Sequence, residues 1–384
     1  MTTSIVAAAV LAAVAIAPAA DATTTTTSSS SPDRQVSNAT SQDSAYSTAF
    51  LPKLKAIESS VAASKLCALP VSSLSGVIAS LSSLPIVSKT TISTTATNTC
   101  ADVNAVANPN LTASALTSMW AWGNPVSASD DARGLGESAF APATIAAYSS
   151  AKKLTNVRLS VPWAADQGSA IGAWLNTSVA DLHAKGETVS ALGGDSAWVT
   201  NPSLVSQWIT SAHNAAAFDG VQLDVEPWTN DTGWTTNTVE IAQYVAMVRQ
   251  AEATAHSLGM TLDIDTPWWL STTSYGTGTV LSAILPFVDG ISIVAFSDHA
   301  GGTDGIIEQA WPAVIQAGSS LTPFTIGVQT SSDAVAGGSA YTFADKGSAA
   351  LESESNRVRA AYSASIGYSG ITVEEYLSWL SLGA

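Results

Sequence analysis

Residues 218–228 read FDGVQLDVEPW and gather three carboxylates in a chain where only 11% of residues are charged. In an extended strand alternate side chains share a face. Gln222, Asp224 and Glu226 would then point one way, and Val221, Leu223 and Val225 the other. Carboxylates on a buried face must be solvated, paired or protonated. A wet cavity at the end of the strand resolves that conflict. Two carboxyls side by side there couple, so that one keeps its proton to higher pH and can serve as a general acid. Protonating a leaving oxygen while a second carboxylate supports positive charge or activates water is the chemistry that breaks a glycosidic bond. The competing reading of the same residues is a satisfied polar layer inside the fold.

The rest of the chain supplies elements that could place such a strand. Runs of β-forming residues occur at 118–123, 156–163, 187–194, 219–227, 260–269, 289–297, 323–331 and 369–376. Helical patterns such as APATIAAYSSAKKL and TVEIAQYVAMVRQAEATAHSLG separate them. Asn201-Pro202 reads as a helix start, and Gly259 follows a helix end. Eight strands alternating with helices predict a (β/α)8 TIM barrel over 113–384, whose active site lies at the C-terminal ends of the strands. An open doubly wound sheet is disfavoured, because no glycine-rich phosphate loop follows the first strand. In the barrel Glu226 stands at the mouth, Asp224 one layer below and Gln222 deeper.

Tryptophans collect at the same end. Trp120, Trp122, Trp163, Trp198, Trp228, Trp234, Trp268 and Trp269 fall at or just after strand ends, whereas Trp174, Trp208 and Trp311 sit in helical patterns. Aromatic faces at a mouth suit stacking on sugar rings. The expected carbohydrate contacts are Trp120, Trp122, Trp163, Trp198, Trp228, Trp268 and Trp269, joined by Gln222, Phe296 and Asp298. Candidates for a further carboxylate are Asp265, at the end of strand five, and one of Glu374 and Glu375 on strand eight. Glu374 and Glu375 alternate, so only one of them can enter the barrel.

Asp219-Gly-Val-Gln222-Leu-Asp224-Val-Glu226 resembles the fourth-strand signature D-G-x-D-x-D-x-E of family 18 glycoside hydrolases, the chitinase-like group. Ala191-Leu-Gly193-Gly194 is similar to that family's S-x-G-G, and Val294-Ala-Phe296-Ser297 to its M-x-Y-D. The resemblance covers about residues 118 to 384. It implies a secreted TIM-barrel glycosidase with Glu226 as general acid and Asp224 orienting the substrate. The departures bear on the substrate. Gln222 replaces the middle aspartate, Ala191 the serine, and Phe296 and Ser297 the Tyr-Asp pair, while Glu374 takes the place of the strand-eight tryptophan. Losing groups that serve an N-acetyl substituent points to a polysaccharide or oligosaccharide other than chitin. Two alternatives stay open: an inactive carbohydrate-binding barrel, and a hydrolase of a non-sugar polymer.

With a net charge of −16 the chain offers no basic surface to nucleic acid. The four histidines are scattered, and no metal or cofactor is expected. Ile5 to Ala17 followed by Ala20-Asp21-Ala22 reads as a signal peptide over 1–22, which places the protein outside the cell and off the membrane. A Ser/Thr-rich linker (23–45) and a helical extension (46–112) follow. The extension carries Cys67 and Cys100, which export would join as a disulfide. Sequons start at Asn38, Asn110, Asn176 and Asn230. A monomer is expected. If the signal reading is right, intact-mass measurement of protein collected from culture medium finds a chain beginning at Thr23. A chain retaining Met1 would remove the signal peptide from the account.

Overall fold

The computed structural model describes residues 114–382, apart from 302–303, 363–364 and 366. The expected signal peptide, linker, helical extension and Cys67–Cys100 disulfide lie outside those residues. Eight parallel strands close into a barrel: β1 (Leu116–Ala121), β2 (Asn156–Ser160), β3 (Thr188–Gly193), β4 (Gly220–Leu223), β5 (Thr261–Pro267), β8 (Gly290–Val294), β9 (Phe324–Gln329) and β10 (Tyr368–Glu374). The short ribbon of β6 (Ser274–Tyr275) and β7 (Gly278–Thr279) stands outside it. Closure comes from β1 pairing β10, with Met119 beside Val373.

Both faces of these strands are covered, which is why they read as nearly continuous apolar runs. Val157, Leu159, Val189, Ala191, Val221 and Leu223 are all buried. Helices α1 (Pro142–Lys152), α2 (Ala170–His183), α3 (Ala197–Thr200), α4 (Ser203–Ala215) and α5 (Thr238–Ser257) lie along the first half. Local chemistry sets their ends. Pro142 opens α1, Ser169 caps α2 by accepting from the Gly172 N–H at 3.2 Å, and Asn237 caps α5 by accepting from Glu240 at 3.2 Å. Among the described residues no helix is long and apolar enough to cross a membrane.

The strands are shorter than the sequence runs suggest. β4 stops at Leu223, so Asp224 and Glu226 stand in the segment just beyond it, and Glu226 leads into a 3-10 turn at Pro227–Thr229. β2 likewise ends before Trp163, β5 before Trp268 and β8 before Phe296.

One arrangement recurs at the bottom of the barrel. Asp219, before β4, accepts the Val189 N–H at 2.7 Å and contacts His183 at 2.9 Å. Asp289, before β8, accepts the Leu262 N–H at 2.8 Å and contacts His256 at 2.8 Å. Each Asp-Gly pair thus ties the start of one strand to its neighbour and to the last turn of a preceding helix. The hydrogen bond from Asp289 raises the His256 pKa above its ordinary value. A raised histidine contributes stability that is complete below its unfolded pKa of about 6.5 and is lost as pH rises through the folded value. Thermal melts of His256→Asn should therefore fall below wild type by at most about 1 kcal/mol at pH 5.5, because the pair is exposed. The difference should shrink by pH 8, and a gap that widened with pH would contradict the assignment.

Candidate active site

The lower barrel interior holds a charge. Arg158, on β2, is 4% exposed and projects inward. Its Nε donates to Gln222 Oε1 at 2.7 Å, and its Nη1 donates to Ser118 Oγ at 2.9 Å and Thr372 Oγ1 at 2.8 Å. Gln222 is fully buried and passes the link onward, its Nε2 donating to Asp265 Oδ1 at 2.8 Å. Trp120 Nε1 donates to the other oxygen, Asp265 Oδ2, at 3.0 Å. Ser292, Thr325 and Thr372 extend the layer through hydroxyl contacts. Burial opposes the Arg158 charge and the nearby carboxyls of Asp265 and Asp263 support it. A guanidinium keeps its proton in such a setting. Gln222 is therefore a bridge between Arg158 and Asp265, not the substrate contact expected of it.

Above this layer stand the carboxyls. Asp224, Glu226 and Glu374 are half-buried and Asp265 is buried. Burial pushes Asp224 up to about 6. Burial, then Asp224, then Asp265 hold Glu226 well above the usual glutamate range. Burial and Asp224 act first on Asp265 in the same direction, against Arg158. Glu374 is raised by burial, then Asp224, Glu375 and Asp265. Four neighbouring carboxyls over a single buried cation cannot all ionise near neutral pH, so the group retains protons. Glu375 takes a different part, capping the helix at Tyr376–Leu380 through the N–H groups of Leu377 at 3.0 Å and Ser378 at 2.9 Å.

Backbone packing places Asp224. Its N–H donates to the Gly193 carbonyl at 3.0 Å, continuing the β3–β4 ladder one residue past the strand. A Cβ on Gly194 would lie 1.6 Å from the Asp224 carbonyl oxygen, and one on Gly193 would lie 2.4 Å from the Trp208 ring. The Gly-Gly pair is required by close approach, not by backbone conformation. Gly327 does similar service, since a Cβ there would press on both Phe296 and Trp120 at 3.2 Å.

The tryptophans divide in a way their spacing did not indicate. Trp198 packs on Trp208 with ring centroids 5.4 Å apart. Trp228, Trp234, Trp269 and Tyr244 form one edge-to-face cluster, with Trp228–Trp269 at 5.1 Å and Trp228–Trp234 at 5.2 Å. Trp120, Trp198, Trp228 and Trp269 are each less than 9% exposed, so they offer no broad face to a ligand. One indole instead donates to a carboxyl, Trp120 to Asp265, while Trp228 beside Glu226 and Trp122 beside Glu374 act against the larger upward effect of burial on those two groups. Trp122, Trp268 and Phe296 are half-buried, and Trp163 is exposed. Asp298 is engaged by His299 at 2.6 Å and by Lys346 at 3.4 Å. Arg158 escaped the sequence reading. Its one signal was a lone cation inside the apolar run NVRLSVPW.

Removing Arg158 leaves Asp265 and the Gln222 carbonyl without their partner, the costly way to break a buried pair. Arg158→Met should lower stability by about 3–5 kcal/mol in denaturant titration. Gly194→Ala should fold yet displace Asp224, lowering activity at least about tenfold if that carboxyl acts in catalysis. An Arg158→Met melt equal to wild type would show that the network is not what supports the site.

Similar solved structures include an endo-beta-N-acetylglucosaminidase from Cordyceps militaris, at 14% identity and a TM-score of 0.42, covering 68% of this chain and 81% of that one. A GH18 chitinase from Pseudoalteromonas aurantia matches at 12% identity and 0.42, covering 68% and 94%. A chitinase from Chromobacterium violaceum matches at 11% and 0.38, covering 56% and 68%. No family model and no curated protein matches the chain.

Proposed function

We propose that this chain is an exported glycoside hydrolase that cleaves a polysaccharide or oligosaccharide at the barrel mouth. The observation that carries the reading is the group of Asp224, Glu226, Asp265 and Glu374 over the single Arg158 cation. A general acid must hold a proton at working pH, and Glu226, like Glu374, is a half-buried carboxyl raised by both burial and charged neighbours. Trp228 lies beside Glu226. The half-buried rings of Trp122, Trp268 and Phe296 are the remaining mouth surfaces suited to a sugar face.

The roles follow from those positions. Glu226 delivers its proton to the glycosidic oxygen as the C1–O bond breaks. Asp224, ionised above about pH 6, supports the positive charge that develops on the sugar ring. Water adds at C1, and its proton returns to the Glu226 carboxylate. Phe296 and Ser297 present no phenol or carboxyl where the resembled family carries Tyr and Asp, so a glycan without a participating N-acetyl group is the favoured substrate class. The same substitutions, with Gln222, are what favour the competing reading of a barrel that binds sugar without cleaving it.

The test is a hydrolysis screen over neutral polysaccharides with wild type, Glu226→Gln and Asp224→Asn. Sugar release that falls about a hundredfold or more in Glu226→Gln fits loss of a general acid. The wild-type kcat/KM profile should be bell-shaped. It rises through about pH 6 as the Asp224 group ionises and falls at higher pH as Glu226 loses its proton. Asp224→Asn should remove the acidic limb. Retention on a polysaccharide with no release by any variant would instead establish the binding-only reading.

A further inference from the structure

Trp163 stands apart from the other tryptophans. It is 45% exposed, while the rest are buried or half-buried. A flexible loop could tuck such a ring away, since exposed apolar surface is unfavourable. This loop is clamped. Arg133 Nη1 donates to the carbonyl oxygens of both Trp163 and Ala164, the latter at 2.6 Å. Asp131 holds the guanidinium in turn, accepting from Nε at 2.9 Å and Nη2 at 2.7 Å. Ala164 has φ 56°, a left-handed conformation that an L-residue adopts at a cost, and the Arg133 clamp lies directly on it. The backbone that carries the exposed indole is thus held in place.

The ring looks onto a groove. Trp163, Asp166 and Gln167 from the β2–α2 loop face Gln207, Thr210 and Ser211 of α4 across an open cavity of about 420 Å³, within the range of small-molecule sites. Asp166 is held as an acceptor. Ser211 donates to its Oδ1 at 2.6 Å and Asn214 to its Oδ2 at 3.4 Å. No lysine or arginine lines the cavity and Asp166 does, so an anionic ligand meets a carboxylate there. One aromatic face beside amides, hydroxyls and a carboxylate matches the C–H face and hydroxyl rim of a neutral sugar. None of the mouth carboxyls or the side chains bonded to them lines the groove.

We propose that this groove is a second carbohydrate-binding site, which holds a segment of a neutral polysaccharide on the flank of the barrel through Trp163. The ligand class rests on the glycosidase reading, whereas the site itself rests on the groove's geometry. A chain gripped there would keep the protein on a polymer between cleavage events at the mouth.

Affinity electrophoresis tests this with Glu226→Gln protein, which cannot consume the ligand, in gels containing laminarin, hydroxyethylcellulose, xylan or glycol chitin. At least one polymer should retard the protein. Trp163→Ala should weaken that retardation about tenfold in Kd, the loss of one stacked ring. Thr210→Trp, at an exposed position on α4, fills the groove without altering the loop and should do the same. Trp122→Ala and Trp268→Ala, at the mouth, should leave most of the retardation in place. Retardation by none of the four polymers overturns the proposal. So does retardation abolished by the mouth variants and unaffected by Trp163→Ala and Thr210→Trp. Wild-type hydrolysis is measured separately. Its absence would count against the catalytic reading and leave the groove result standing.

Discussion

A single buried cation governs the interior of this barrel. Arg158 enters from β2 into a space that most such barrels fill with aliphatic layers. A guanidinium there must satisfy its donors and meet negative charge, or the fold loses several kcal/mol. Ser118, Thr372 and Gln222 take the hydrogen bonds, and Asp265 and Asp263 supply the charge. Everything above inherits that arrangement. Asp265 is fixed by Gln222 on one oxygen and Trp120 on the other, so it meets Asp224 as an oriented carboxyl. Gln222, a neutral residue where the family signature has an acid, makes sense in this light. Its amide has one acceptor and one donor end, and can join a guanidinium to a carboxylate as an aspartate cannot.

The tryptophans act mainly as framework. An indole N–H donates and never accepts, so it can orient a carboxyl without competing for its proton. The Trp228, Trp234, Trp269 and Tyr244 cluster locks the segment after β4 to the segment after β5. That packing also sets Trp228 beside Glu226. Core and site meet in Trp120, a buried ring whose N–H also holds Asp265.

The two ends of the barrel divide the work. At the bottom, the paired Asp-His contacts at Asp219 and Asp289 stitch strand starts to helix ends. At the top, β4 ends early and its continuation carries Asp224 and Glu226, with Gly193 and Gly194 permitting the close passage of the Asp224 segment. Ladder pairing is traded for polar side chains where a ligand can reach them, as in parallel barrels generally.

The eight-strand alternation, the parallel barrel and the Asp224–Glu226 spacing were legible in the sequence, because strand periodicity and turn chemistry are local properties of consecutive residues. Alternation also said that Glu374 and Glu375 take different surroundings, and Glu375 caps a helix while Glu374 does not. What local pattern could not contain was partnership. Arg158 meets Gln222 across 64 residues and Thr372 across 214, and no spacing rule links positions so distant. Nor could position at a strand end say which tryptophans turn inward: Trp198, Trp228 and Trp269 follow strands as Trp163 does, yet they are packed and it is exposed. Which way a ring turns depends on what the neighbouring strand and helix leave open. Only the closed barrel, by bringing remote segments into contact, determines that space.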